Sequence, residues 1–324
     1  METELCIIGD LCADLLLPYG ETKQNLRRLK QGIVETSEVV FRQGGTCGNT
    51  SVILGRLGEH PHFVTELCSD RIGQFLKQEM EDNGVLMDWS LTNPDKSNML
   101  CIAVIDEDNE RTMFSWLPPG SDYPKFSEEN LSLIPENEPM LVFTGGMVMN
   151  NDPSSMNAVT DKIQQLKQTG STVVFDLNVR AESYGMNAER RHAYERMIGL
   201  SDIIIGSGPE EFSAVTGIVN LEQAADHLAA DGHTVIARNG RKPVYVTDGT
   251  NSSYVPTDAV SAQQTLGAGD TFNGAFLFAL NRGLHVRQAV KFANGIAAYM
   301  IASAGHLSVP KDIEERLSAA VSQY

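Results

Sequence analysis

The sequence predicts an α/β fold: a mostly parallel central sheet with helices on both faces, and a small second β-sheet assembled from separate segments. Three observations predict it. Short apolar runs at Leu5–Ile8, Met140–Thr144, Thr172–Asp176, Asp202–Ile205 and Thr234–Arg238 alternate, from about residue 125, with helical stretches near 153–169, 188–200 and 221–230. That rhythm is the signature of βαβ crossovers. Strand-like segments near 12–17, 33–42 and 99–116 fall outside it, and Cys12 follows Ile8 too soon for a crossover, so these leave the main sheet. The C-terminal part carries three helical periods, 270–281, 286–302 and 311–321.

Taken in order, Leu5–Ile8 is a buried strand ending at Gly9-Asp10. Cys12–Leu17 and Gly32–Arg42 are strands flanking a polar loop, and Gln43–Asn49 is a glycine-rich turn into the helical run TSVILGRLG. Phe63–Leu67 reads as one strand, and Arg71–Asn83 as a helix stopped by Gly84. Met99–Ile105 and Arg111–Trp116 flank the turn Asp106–Glu110 as a hairpin, and Val244–Thr247 adds a strand. The expected division is a core of residues 1–11, 43–97 and 118–324, with a β lid of 12–42 and 98–117 over the sheet's carboxyl edge.

The chain has 324 residues, 42% of them hydrophobic, which suffices for a sizeable core. A net charge of −17 argues against nucleic acid and against anionic membrane surfaces as partners. No apolar run reaches the ~20 residues of a membrane span. Cys6, Cys12, Cys47, Cys68 and Cys101 are odd in number and show neither a disulfide framework nor zinc-ligand spacing. With an acidic start, Met1-Glu2-Thr3-Glu4, unlike a secretory leader, the expected location is cytoplasmic.

The stretch Gln264 to Phe276 carries the chemistry. Gly267-Ala268-Gly269 precedes an apolar helix, so backbone N–H groups and the positive end of the helix dipole can cradle an anion. Asp270 stands where phosphate oxygens would repel it. The conflict resolves if its carboxylate points past the phosphate and takes the proton of an acceptor hydroxyl during phosphoryl transfer. The plainer reading, a turn with Asp270 as first-turn acid, is the alternative for such a motif standing alone.

It does not stand alone. Leu266–Phe276 resembles the C-terminal signature of the ribokinase-like (PfkB) carbohydrate kinases, and Gly44–Ser51 followed by Gly55-Arg56-Leu57-Gly58 resembles their N-terminal signature. The two stand in the family's order and spacing, and the resemblance covers essentially the whole chain. It implies a Rossmann-like, ribokinase-type fold, with ATP as phosphoryl donor and Mg2+ as cofactor. It also implies Asp270 as general base, with Gly267, Ala268 and Gly269 as anion hole. Asp10 and Asp14 on the first-strand motif, with Gly44, Gly45 and Asn49, would hold the sugar, since a carboxylate accepts two hydroxyl donors.

Asn178 and Arg180 of the run Asp176–Arg180 fall at acceptor or phosphate contacts, for which a guanidinium is suited. Glu210 matches the acid of an N-x-x-E motif that organises Mg2+ through water, although Ser207 replaces the asparagine. Gly240 and Asn294 fall on the nucleotide side, where Ala237-Arg238-Asn239-Gly240 keeps only the glycine of the usual Thr-x-Gly. Gln264 stands where relatives have an Asp that helps hold a monovalent cation; a neutral Gln is a weaker ligand and leaves K+ dependence open.

The sequence thus points to an ATP-dependent kinase of a small carbohydrate. Rival readings are a nucleoside kinase of the same fold and a non-catalytic ligand-binding or regulatory protein. A Rossmann oxidoreductase is set aside because the first strand ends in Gly9-Asp10-Leu11-Cys12-Ala13 rather than GxGxxG. A lid with exposed edges favours a homodimer paired through it.

Overall fold

The computed structural model describes residues 3–18, 38–96, 98–105, 111–116, 125–258, 260–261 and 265–322. Strand β1 (Glu4–Ile8) lies inside the large sheet, and β2 (Cys12–Pro18) leaves it at once to pair with β3 (Val40–Gly44). Helix α1 (Thr46–Arg56) returns the chain to β4 (His62–Val64), beside β1. There follow β5 (Glu66–Cys68), α2 (Arg71–Asp82), β6 (Leu91–Asn93), β7 (Leu100–Ile105) and β8 (Arg111–Trp116). Next come α3 (Glu128–Leu131), β9 (Met140–Gly145), α4 (Pro153–Gln168), β10 (Thr172–Asp176), α5 (Ala181–Tyr184) and α6 (Ala188–Leu200). The chain continues through β11 (Ile203–Ser207), α7 (Gly208–Thr216), α8 (Leu221–Ala229), β12 (Thr234–Asn239), β13 (Lys242–Thr247) and β14 (Ser252–Val255). Helices α9 (Ala268–Asn281), α10 (Val286–Ala302) and α11 (Ile313–Ser322) close it.

The main sheet runs β14-β13-β12-β11-β10-β9-β1-β4, parallel from β4 to β12 and antiparallel at the β12-β13-β14 end. Residues of β1 alternate between two cores: Leu5 and Ile7 pack with α1, α9 and α10, whereas Cys6 and Ile8 pack with α4, α6 and α8. Both faces of this strand are buried, which is why it reads as an unbroken apolar run rather than an alternating one. The chain leaves β1 toward β4 on one side and β9 on the other, so the topological switch lies at the carboxyl end of β1. Ligands of open α/β sheets bind at such a point.

The second sheet, β3-β2-β7-β8, is drawn from three separate segments, as expected. Of the expected strand 32–42 only its end is described, and the observed strand runs on to Gly44; residues 31–37, and the hairpin loop at 106–110, lie outside the described residues. The reading of Phe63–Leu67 as one strand needs correction. Ser90 Oγ donates to the carbonyl of Phe63 and accepts from the N–H of Thr65, so β4 stops there. The chain then pairs with β6 in a two-stranded sheet instead. Helix α7 and strand β14 were not anticipated. α7 begins directly at Gly208-Pro209, a pair that reads locally as a turn.

Candidate active site

Helix α9 is apolar nearly all round and packs between α1 and α10. Gly274 sets the α1 contact, since a Cβ there would lie 2.6 Å from Ile53 Cγ2 and 2.8 Å from the Thr50 carbonyl. This close approach joins the two glycine-rich stretches. Asn49 Nδ2 donates to Asp270 Oδ2 at 2.7 Å, across 221 residues of sequence.

Asp270 sits in the first turn of α9 and lines a cavity of about 560 Å³. Burial pushes its carboxyl up to about 7, helped by the nearby charges of Asp176 and Asp10 and opposed by the Asn49 amide and Arg238. Gly267, in the left-handed region at φ 83°, caps α9 with no side chain among the described residues bonded to that end; Gly267, Ala268 and Gly269 line the cavity, and the Ala268 N–H donates to the Thr265 carbonyl at 3.3 Å. Arg238 stands beside Gly269, its Nη1 3.4 Å from where a Cβ would lie, an ordinary contact distance.

Asp10 is held by the backbone at the start of α1. Its Oδ2 and Oδ1 accept the N–H groups of Thr46 and Cys47 at 2.8 and 3.2 Å, so its carboxylate caps α1. Gly45, at φ 92°, is the turn that permits this, because a Cβ would meet the Asp10 carbonyl at 2.7 Å. Asp14 lies on β2 with its carboxyl against Gly44, where a Cβ would come within 2.4 Å of Asp14 Cγ. Burial raises the Asp14 carboxyl, and Arg42, paired with it across β2–β3, counters that rise.

Asn178, in the left-handed region at φ 33°, donates to Thr46 Oγ1 at 2.8 Å and accepts from Arg180 Nε at 2.7 Å. Both line the cavity with Asp270, as does Glu210. Gly240 and Asn294 line a second cavity of about 390 Å³, more apolar, beside Val244, Phe272 and Ala298. Asn294 also donates to the Pro256 carbonyl at 3.0 Å, which ties α10 to the segment after β14. Gln264 lies outside the described residues.

Two residues escaped the sequence reading. Arg238, at the end of β12, lines both cavities. Its Nη1 donates to the Gly269 carbonyl at 2.9 Å and to Asn273 Oδ1 at 3.0 Å, its Nη2 lies 3.4 Å from both oxygens of Asp176, and the guanidinium stands over the Phe272 ring. The signal was the departure at Ala237–Gly240: a charged residue at the end of a buried strand needs a partner. Glu211 is the other. It lines the first cavity, accepts the N–H of Ser207 at 2.8 Å, and is pushed up to about 7 by burial and then by the charge of Asp176. The alignment of motifs drew attention to its neighbour Glu210.

Residues 2–312 match the family model described as pfkB family carbohydrate kinase. The chain is 24% identical over 312 residues to a fructokinase of Vibrio alginolyticus, covering 94% of this chain and 95% of the relative. It is 25% identical over 302 residues to a 5-dehydro-2-deoxygluconokinase of Clostridium tetani, with 90% and 87% covered. An aminoimidazole riboside kinase of Salmonella typhimurium is 26% identical over 271 residues, with 82% and 83% covered.

Among solved structures, the aminoimidazole riboside kinase of Salmonella enterica in complex with aminoimidazole riboside and an ATP analog superposes with a TM-score of 0.77. That match has 23% identity and covers 97% of this chain and 99% of the other. A Vibrio cholerae fructokinase with fructose, ADP and calcium gives 0.78 at 23% identity, covering 98% and 99%. The protein is therefore a phosphotransferase that acts on a sugar hydroxyl. It belongs to the pfkB family of carbohydrate kinases, with the ribokinase-type fold.

Proposed function

We propose that the protein transfers the γ-phosphoryl group of ATP to a hydroxyl of a small carbohydrate, with Asp270 as the base. The observation that carries this is the half-buried Asp270 carboxyl in the first turn of α9, accepting a hydrogen bond from the Asn49 amide and raised to about 7 by burial. A base with a pKa near the working pH is suited to accepting a proton in the transition state. As the acceptor oxygen bonds to the γ-phosphorus, its proton passes to Asp270, the bond to the leaving oxygen breaks, and ADP departs. The amides of Gly267, Ala268 and Gly269 offset the charge on the transferring group. Arg238, fixed beneath the Gly269 carbonyl, adds a permanent positive charge where both cavities meet.

The cavity with Asp270 would take the phosphates and the acceptor, and the apolar cavity beside Gly240 and Asn294 the nucleoside. Asp14 and Asn49 would orient sugar hydroxyls; Asn49 Oδ1 is buried with no hydrogen-bond partner among the described residues and would accept one. Asp176, Glu210 and Glu211 supply carboxylate oxygens to the same cavity. This donor set suits Mg2+, which keeps most of its water and needs only one or two carboxylates. When bound, the ion would neutralise phosphate charge.

The small sheet would act as a lid at residues 12–42 and 98–117, excluding water as a competing acceptor. Its outer strands expose Phe41, Met113, Phe114 and Trp116, an apolar surface suited to pairing with a second copy. A cytoplasmic location is the setting this reading implies.

The test is ATP consumption by purified protein with Mg2+ against ketohexoses, pentoses, sugar acids and nucleosides, with and without K+. Turnover with a sugar or sugar acid supports the reading. Turnover confined to nucleosides moves the assignment to the alternative acceptor class, and ATP binding without turnover on any acceptor favours a non-catalytic binder.

A further inference from the structure

The root of the small sheet brings together three ligating groups that the mechanism uses only in part. Cys12 and Asp14 are two residues apart on β2 and share a face, and Asp14 is in register with Cys101 on the parallel strand β7. The two sulfurs and a carboxylate oxygen all lie within 4.8 Å of one another. Cys12 is buried and Cys101 half-buried, and Cys12 Sγ donates to Asp14 Oδ1 at 3.5 Å. No spacing rule could show this, because the ligands come from strands that the topology, not the sequence, makes neighbours.

We propose that Cys12, Asp14 and Cys101 form a site for one thiophilic divalent cation, of which Zn2+ is the chemical type. Tetrahedral zinc with bonds of about 2.3 Å to sulfur and 2.0–2.2 Å to oxygen places its ligand atoms roughly 3.3–3.8 Å apart. Cys12 Sγ and Asp14 Oδ1, at 3.5 Å, already stand at that separation, and the other pairs would contract by at most about 1 Å, within the reach of side-chain rotation. Both thiols give up their protons to solvent on binding, and the carboxylate is already a ligand as it stands.

Thiolates select such an ion over Mg2+ or Ca2+, which prefer oxygen. The environment sharpens that choice. Arg42 stands opposite Asp14 on β3, so a hard cation drawn by the carboxylate's charge alone meets a competitor. Covalency with two sulfurs is not weakened in the same way. Three protein ligands leave a fourth position open to water or a substrate hydroxyl.

This carries a consequence that rests on the reading of Asp14 as a sugar ligand. A metal ion holding Asp14 removes the acceptor for substrate hydroxyls, so the occupied protein binds carbohydrate more weakly while the nucleotide side is untouched. Zn2+ becomes an inhibitor that raises KM for the sugar and spares kcat.

The experiment titrates the reduced, full-length protein with Cd2+, following the thiolate-to-metal charge-transfer band, and then displaces it with Zn2+. The expected result is one equivalent bound through two thiolates. Cys101→Ser and Cys12→Ser should each halve the band and weaken binding by about tenfold or more. Cys101 is the more exposed position, so its variant keeps the test valid should Cys12→Ser fold poorly.

A band that survives in both variants, assigning the metal to Cys6, Cys47 or Cys68, overturns the site, as does an affinity no tighter than that of the protein carrying Cys12→Ser and Cys101→Ser together. Sugar KM is measured in parallel. A rise with Zn2+ that disappears in Cys101→Ser supports the whole argument. Binding by both thiolates with an unchanged KM leaves the metal site standing and removes Asp14 from the sugar contacts.

Discussion

Two aspartates stand at the N-termini of two adjacent helices, and the molecule uses them in opposite ways. Asp10, before α1, has both carboxylate oxygens satisfied by amides of Thr46 and Cys47. Asp270, inside the first turn of α9, accepts one side-chain amide and lines a cavity, and burial lifts its proton affinity to about 7. A helix end can satisfy a carboxylate completely or leave it with a proton to exchange. The difference lies in whether the side chain reaches the helix end from another segment and takes up its amides, or projects from within the first turn toward a space that a ligand would fill. Structure uses the first, and chemistry needs the second.

The groups around the two acids differ as well, and a large effect should come from them. Arg238 bonds the Gly269 carbonyl and Asn273 and offsets Asp176. Arg238→Gln is expected to lower kcat by ~10²–10³, the scale for losing one preorganised donor to the transferring group. Arg238→Lys, a point charge without the planar fork, should recover only part of it. Steady-state kinetics with a folded-state check by circular dichroism measure both. Full turnover in the Gln variant would reduce Arg238 to a buried ion-pair residue.

At the other helix the expected loss is in stability. Asp10→Ala removes the cap of α1 and should cost ~0.5–2 kcal/mol in urea unfolding, with sugar KM changed far less than by Asp14→Ala. A large KM effect with unchanged stability would instead make Asp10 a substrate ligand.

The smallest effect is a pH dependence. Asp270 and Glu211 both have folded-state values near 7, well above their ordinary values of 3.8 and 4.5. Between those limits the folded protein holds protons that the unfolded chain has released. Their contribution to stability is therefore present at the acid end and lost as pH rises toward about 7. Asp270→Asn should flatten that part of the slope in unfolding midpoints measured from about pH 5 to about pH 8, and an unchanged slope would place Asp270 in a wetter setting than its burial indicates.

Much of this was legible in the residues. The parallel strands announced themselves as apolar runs, and the departure of Cys12–Pro18 from the main sheet followed from the shortness of its connection. Two distant glycine-rich signatures assigned Asn49 and Asp270 to one site, and the hydrogen bond between them is seen only in the structure. What the sequence could not show depends on packing in three dimensions. Asp10's bonding to α1 needs the turn at Gly45, and Arg238 meets the Gly269 carbonyl and Asn273 only because β12 and α9 are neighbours in the fold. The break at Thr65 arises from a serine 25 residues away. Burial raises the proton affinity of Glu211, which is half-buried where its neighbour Glu210 is exposed.

The central claim is that Asp270 removes the proton from the attacking hydroxyl. The most direct test compares Asp270→Asn with the unaltered protein, measuring kcat on a turned-over sugar together with ATP and sugar binding by calorimetry. The asparagine keeps the bond to Asn49 and the shape of the turn. The account predicts binding within a few fold of normal and turnover reduced by ~10²–10⁴, the usual worth of a general base. Near-normal turnover with intact binding would contradict it.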